Sequence, residues 1–172
     1  MFRHPFLTPA LAGALMLTVP FLHAEMQSGQ SAPDCKLSPL GESAEKSLSQ
    51  YRGKVVYLDF WASWCGPCAQ SFPFMNKLHK DLSGKGLQIV GVNLDEDAAE
   101  AKGFLTRTPA QFTILADAGG ECPQKFDVKA MPSTYLIDRS GVIRQVHLGF
   151  KSGESAQLRQ QVEALLGEAA PR

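Results

Sequence analysis

Cys65-Gly66-Pro67-Cys68 is the segment whose residue types and spacing point most directly to a reaction. A nearly unbroken apolar, β-favouring run from Val55 to Trp61 precedes it, and a helical pattern opens at Gly66-Pro67. Cys65 is therefore expected at a helix N-cap, where unpaired backbone N–H groups and the helix dipole stabilise a thiolate. Cysteines in such settings have pKa values lowered into roughly the 3.5–7.5 range. Cys68 follows one helical turn later, close enough to close a small disulfide loop. Pro67 falls in the first turn, where its missing N–H costs nothing, and Gly66 leaves the approach to Cys65 open. The chemistry that fits is thiol–disulfide exchange. Reduced Cys65 attacks a disulfide and forms a mixed disulfide, which Cys68 then displaces. Half of a zinc site is the competing explanation, but it needs a second ligand pair. Cys35 and Cys122 stand apart, and His79 and His147 have no ligand spacing. A purely structural disulfide is also poorly motivated, because so short a gap closes almost no chain entropy.

The surrounding pattern predicts the elements that position this pair. Strands are expected at Val55–Trp61, Leu87–Leu94, Phe112–Ala116, Ser133–Ile137 and Val142–Leu148. Helices are expected from Gly66 to about Leu82, over 95–106 and over 153–167, with a short one near Glu121. Pro73 should kink the first of them. Asp138-Arg139-Ser140-Gly141 reads as a hairpin turn. Asp95-Glu96-Asp97 reads as a helix start with acids at the dipole's positive end, since it lacks the rest of a calcium loop. His79, His147 and the lysines Lys77, Lys80 and Lys85 read as ordinary surface and strand residues. Strand–helix alternation followed by a hairpin and a helix implies an α/β three-layer sandwich, with a mixed central β-sheet flanked by helices.

The N-terminus reads differently. Arg3 is the only Lys, Arg, Asp or Glu among residues 1–24, and an apolar stretch, densest from Leu11 to Val19, ends at Ala24. That is the pattern of a secretory signal peptide over 1–24. An uncleaved membrane anchor and a buried helix are the alternatives, the latter opposed by Pro9, Gly13 and Pro20. Residues 25–34 read as a flexible lead-in, 35–167 as one domain and 168–172 as a C-terminal tail. The chain of 172 residues carries 17 Lys and Arg against 17 Asp and Glu. A generic basic surface for nucleic acid is excluded by that balance. Four cysteines are too few for a disulfide-dense miniprotein, yet enough for one redox pair and one structural bridge. Export would let them stay oxidised.

Asp59-Phe60-Trp61-Ala62-Ser63-Trp64-Cys65-Gly66-Pro67-Cys68, with Pro73 beyond, closely resembles the active-site segment of thioredoxin. The exported TlpA/ResA-like branch is closer still. Its marks are Ala32-Pro33-Asp34, the stretch Leu48 to Val56 with Tyr51-Arg52-Gly53-Lys54 inside it, Val90 to Asp95, and Pro132-Ser133-Thr134-Tyr135-Leu136-Ile137-Asp138. The resemblance spans residues 32–166 and implies a thioredoxin-like fold and a thiol:disulfide oxidoreductase of the bacterial periplasm.

Residue by residue, Cys65 matches the attacking cysteine and Cys68 the resolving one. Pro132 matches the cis-proline that lies against the disulfide. Asp59 matches the buried carboxylate that takes a proton from the resolving cysteine, although many TlpA-like members have Asn there. Burial would raise its pKa toward neutrality. Trp64, Gly66, Pro67 and Met131 are expected to contact substrate, with Trp61 and Trp64 as walls of the site. The expected partners are protein disulfides as substrates and a membrane thiol:disulfide electron relay as reductant, with no nucleic acid, metal or small-molecule cofactor. Metal-site or cytochrome c assembly would suit such an activity, but Ser133 stands where dedicated cytochrome c maturation members carry Glu. Disulfide isomerase or oxidase activity is the alternative within the same chemistry. A non-turnover metal- or protein-binding module is the alternative outside it. Cys35, where many relatives have Phe, invites a bridge to Cys122; two free buried thiols are the other possibility.

Overall fold

The computed structural model describes residues 27–117 and 119–169, over which seven strands and four α-helices are formed. In chain order the strands are β1 (Lys36–Pro39), β2 (Lys46–Ser47), β3 (Val55–Trp61), β4 (Leu87–Asn93), β5 (Thr113–Ala116), β6 (Ser133–Ile137) and β7 (Ile143–Leu148). The helices are α1 (Gly66–Leu82), α2 (Ala98–Arg107), α3 (Glu121–Lys125) and α4 (Ser155–Gly167). The expected signal peptide over 1–24 lies outside the described residues.

All seven strands join one mixed sheet in the order β2-β1-β5-β4-β3-β6-β7. β3, β4 and β5 run parallel; β6 and then β7 are added on one side, and β1 and then β2 on the other, each antiparallel to the strand it pairs with. The steps β3–α1–β4 and β4–α2–β5 move in the same direction across the sheet. Right-handed crossovers therefore put α1 and α2 on the same face. Central β3 is buried at every position, and its alternation divides the core in two. Val55, Tyr57 and Trp61 pack with Phe72, Met75 and Leu78 of α1, Phe104 of α2 and Val162 of α4. Val56, Leu58 and Phe60 face the opposite layer with Leu37, Leu48, Cys35, Cys122 and Phe126. Trp61, Phe72, Phe104 and Phe112 form an aromatic cluster under α1, with centroids 4.9–5.3 Å apart, Trp61 and Phe104 tilted and the other pairs edge-to-face. Each such pair adds about 0.5–1.5 kcal/mol beyond its buried area. α1 runs through Pro73 to Leu82. The hairpin turn between β6 and β7 is held by Asp138, whose Oδ1 accepts the N–H groups of Ser140 and Val142. Gly141 there has φ +85°, the left-handed region that glycine enters without strain.

Three expectations need correction. The described part of the expected lead-in, from residue 27 on, is tied down: Gly29 N–H donates to Ile143 O of β7 at 2.7 Å and Ala32 N–H to Gly141 O in the turn before it at 2.8 Å. The tail expected from 168 is anchored at its start, because Arg144 makes a two-pronged ion pair with Glu168 at 2.6 and 2.9 Å. The helix expected over 95–106 starts only at Ala98, with Asp97 as N-cap accepting from Ala99 N–H at 2.8 Å. Asp95 is withheld from it for another task.

Candidate active site

Cys65 terminates the loop that leaves β3. Its backbone is extended, at φ −85° and ψ 101°, as an N-cap requires, and its Sγ accepts the N–H of Cys68 at 3.2 Å. Pro67 occupies the first turn, so the donor facing the sulfur is the one Cys68 supplies. Cys65 and Cys68 are disulfide-bonded, with Cα atoms 5.2 Å apart. Cys65 keeps 5% of its surface and Cys68 none. An incoming thiol or disulfide can therefore approach only Cys65. Gly66 and Pro67 are exposed beside it.

The loop itself is braced from β4. Asp95 is buried and accepts the Ser63 N–H at 2.9 Å, the Ser63 hydroxyl at 3.1 Å and the Asn93 side-chain N–H at 2.7 Å. Sequence reading missed this role. Its one available signal was an acid directly after a buried strand, which is equally the signature of a helix start.

Asp59 sits in the middle of β3, on the face that α1 covers, between Tyr57 and Trp61 along the strand. It is 1% exposed. Thr134, directly opposite on β6, donates its hydroxyl to Oδ1 at 2.6 Å, and Oδ2 has no partner among the described residues. Burial pushes the carboxyl up to about 7, with the Thr134 hydrogen bond pulling the other way. Burial, then the Asp59 charge, pushes the Tyr57 phenol up as well. The raised carboxyl has a stability consequence. Between its unfolded value near 3.8 and about 7, the folded protein holds a proton the unfolded chain has released. Stability therefore falls as pH rises through that window, by roughly 4 kcal/mol in all. Asp59→Asn should flatten this slope, so that urea midpoints of the two proteins differ much more at pH 8 than at pH 4. Parallel midpoint curves would contradict a raised carboxyl.

The remaining predicted residues fall on one side of Cys65. The Met131–Pro132 peptide is cis, and Pro132 is buried. Met131 and Trp64 share an apolar groove with Leu94, Pro123, Val128 and Ala130. Trp64 is 71% exposed, which is unusual for so large an apolar side chain. Ser133 closes the turn behind Pro132 by donating to Ala130 O at 2.6 Å. Trp61 is not a wall of the site; it is wholly buried against Phe72 and Phe104. Cys35 and Cys122 lie in the opposite core layer and are disulfide-bonded to each other, with Cα atoms 5.4 Å apart. Among the described residues no cluster of His, Cys, Asp and Glu could hold a metal ion, and no helix is long and apolar enough to cross a membrane.

Comparison with known proteins agrees with this geometry. The Redoxin family model matches residues 27–164. The thiol-disulfide oxidoreductase ResA of Geobacillus thermodenitrificans is 34% identical over 137 residues, covering 80% of this chain and 77% of that protein. The thioredoxin-like protein YneN of Bacillus subtilis is 40% identical over 128 residues, covering 72% and 73%. A crystal structure from Chlorobium tepidum, described as a thiol:disulfide interchange protein DsbE, superposes with a TM-score of 0.78 at 46% identity. It covers 83% of this chain and 99% of that one. A redox-type cysteine pair at the mouth of this fold, with relatives of this kind along most of its length, places the chain in the Redoxin family as a TlpA/ResA-like thiol:disulfide oxidoreductase.

Proposed function

We propose that the protein is an exported reductant of protein disulfides, working through Cys65 and Cys68 in a bacterial periplasm. In the reduced enzyme the Cys65 thiolate attacks one sulfur of a substrate disulfide. The substrate S–S bond breaks, one substrate thiolate leaves, and a mixed disulfide forms at Cys65. Asp59, ionised, takes the proton of Cys68, and the new thiolate attacks Cys65 Sγ. The second substrate thiolate departs and takes up a proton, leaving the Cys65–Cys68 disulfide. Two electrons have passed to substrate, and a membrane-bound dithiol relay must return them. Trp64, Gly66, Pro67, Met131 and Pro132 form the surface on which the substrate segment rests.

The observation that carries the reducing direction is electrostatic. From Ala62 to Ser71 there is no Lys, Arg or His, and a single N–H donor meets the Cys65 sulfur. From this segment the thiolate gains helix-terminus stabilisation but no cationic partner. Strong oxidants owe their potential to a heavily stabilised reduced form. Export is supported by the leader pattern and by the buried Cys35–Cys122 disulfide, which suits an oxidising compartment. The test is the equilibrium potential of the Cys65/Cys68 couple against glutathione or a reference dithiol. A value near about −270 mV is expected, and one near about −120 mV would make the protein an oxidant.

A further inference from the structure

The carboxyl of Asp59 has one hydrogen-bond partner among the described residues, and that partner comes from a different strand. We propose that Thr134 is a positioning residue, whose hydroxyl governs when Asp59 gives up its proton by clamping one carboxyl oxygen. The bearing of this on turnover rests on the reading of Asp59 as proton acceptor for Cys68.

The geometry allows little else. Asp59 and Thr134 are direct partners in the antiparallel β3–β6 ladder, so their side chains rise from the same face about 5 Å apart. Threonine is stiff at χ1, which keeps the hydroxyl aimed. A hydroxyl carries one proton, and two oxygens lie near it: Asp59 Oδ1 at 2.6 Å and the Tyr57 phenol oxygen at 3.5 Å. The shorter contact takes the proton. Asp59 Oδ2 is buried and faces no partner. A proton added there meets no acceptor and turns Oδ1 into a neutral carbonyl, which accepts the Thr134 hydroxyl more weakly than the charged carboxylate does. The hydroxyl therefore favours the ionised carboxylate against the burial that disfavours it.

Among the described residues, no buried side chain on this face brings a competing charge. β3 contributes Tyr57 and Trp61, and β4 places Gly91 opposite Asp59 with no side chain. The buried residues of α1 are Cys68, Ser71, Phe72, Met75, Leu78 and Leu82, none of them charged, and Cys65 stands at its cap. The Tyr57 phenol, itself pushed up by burial and by the Asp59 charge, stays neutral, and beyond it the next titratable group along this ladder is His147 of β7, one strand past Thr134 and 3.3 Å from Glu154. Remove the hydroxyl and the burial acts unopposed. A carboxylate that loses one such bond should hold its proton roughly one to two pH units higher. At neutral pH it would then be protonated and unable to accept from Cys68.

The test uses Thr134→Val and Thr134→Ala as two independent removals and Thr134→Ser as the conservative variant. The carboxyl-carbon NMR signal of Asp59, assigned through its loss in Asp59→Asn, is followed against pH in the oxidised protein. In parallel, the pH profile of insulin reduction is recorded. Both removals are expected to move the titration upward by roughly one to two pH units and to carry the rising limb of the profile with it, while serine restores both. A titration that stays in place in either folded removal variant overturns the proposal. A titration that moves while the rate profile does not would leave Thr134 in its role and overturn Asp59 as the acceptor.

Discussion

Cys65→Ser is expected to reduce insulin no faster than the uncatalysed exchange, whereas Cys68→Ser is expected to react once and stop. The asymmetry follows from burial. Cys65 Sγ is the only sulfur of the pair that a substrate can reach, and a serine hydroxyl there has no useful fraction of anion at neutral pH. Cys68 sits in the first turn of α1, fully buried and bonded to the sulfur at the cap. Without it the first attack still proceeds, but nothing displaces the substrate. The Cys68→Ser protein should accumulate as a mixed disulfide with substrate, visible as a mass increase that dithiothreitol removes. Both variants lose the same small loop closure, so their stabilities should change alike and little. Full function in cells retained by Cys65→Ser, with no turnover in the assay, would point instead to a binding module on this fold.

The parts of this molecule legible in the sequence are those governed by local rules. β3 and β6 occupy the spans that their largely apolar, β-favouring residues predict, because a strand buried on both faces admits few polar residues. α1 begins at Gly66 because Pro67 suits a first turn and Cys65 can accept at the cap. β1 and β2 were invisible for the opposite reason. At four and two residues they are too short for alternation to register, and they exist because β5 and the Cys35–Cys122 layer give them something to pair with. Asp95 and Thr134 illustrate a second limit. Each looks locally like something common, a helix-start acid and a strand threonine. Their roles arise only when β4 meets the loop before Cys65, and when β6 is laid against β3. Trp61 shows the same limit in reverse. Adjacent to the motif in sequence, it points into the aromatic core while Trp64 emerges at the surface.

Removing the second disulfide is expected to cost far more stability than removing the first. Cys35 and Cys122 are separated by 87 residues, against three for Cys65 and Cys68. In the chain-entropy model a loop of that length withholds roughly 4–5 kcal/mol of disorder from the unfolded chain. For a domain of this size that corresponds to a melting temperature lower by about 10 °C or more. The native state gives little relief, because both sulfurs are buried among Leu37, Leu48 and Phe126, where alanines would also leave space. The bridge has a structural target as well. It fixes α3 to the strand beside β5, and the chain leaving α3 passes through Phe126 and Val128 to Met131, the floor of the groove next to Trp64. The double variant Cys35→Ala/Cys122→Ala should therefore melt early and, while still folded, bind substrate less tightly, with a raised KM and nearly unchanged single-turnover attack by Cys65. Thermal unfolding of the oxidised double variant beside the wild type separates the possibilities. An unchanged melting temperature would show that this pairing contributes nothing to the fold. A lower one with unchanged KM would confine its work to holding the chain together.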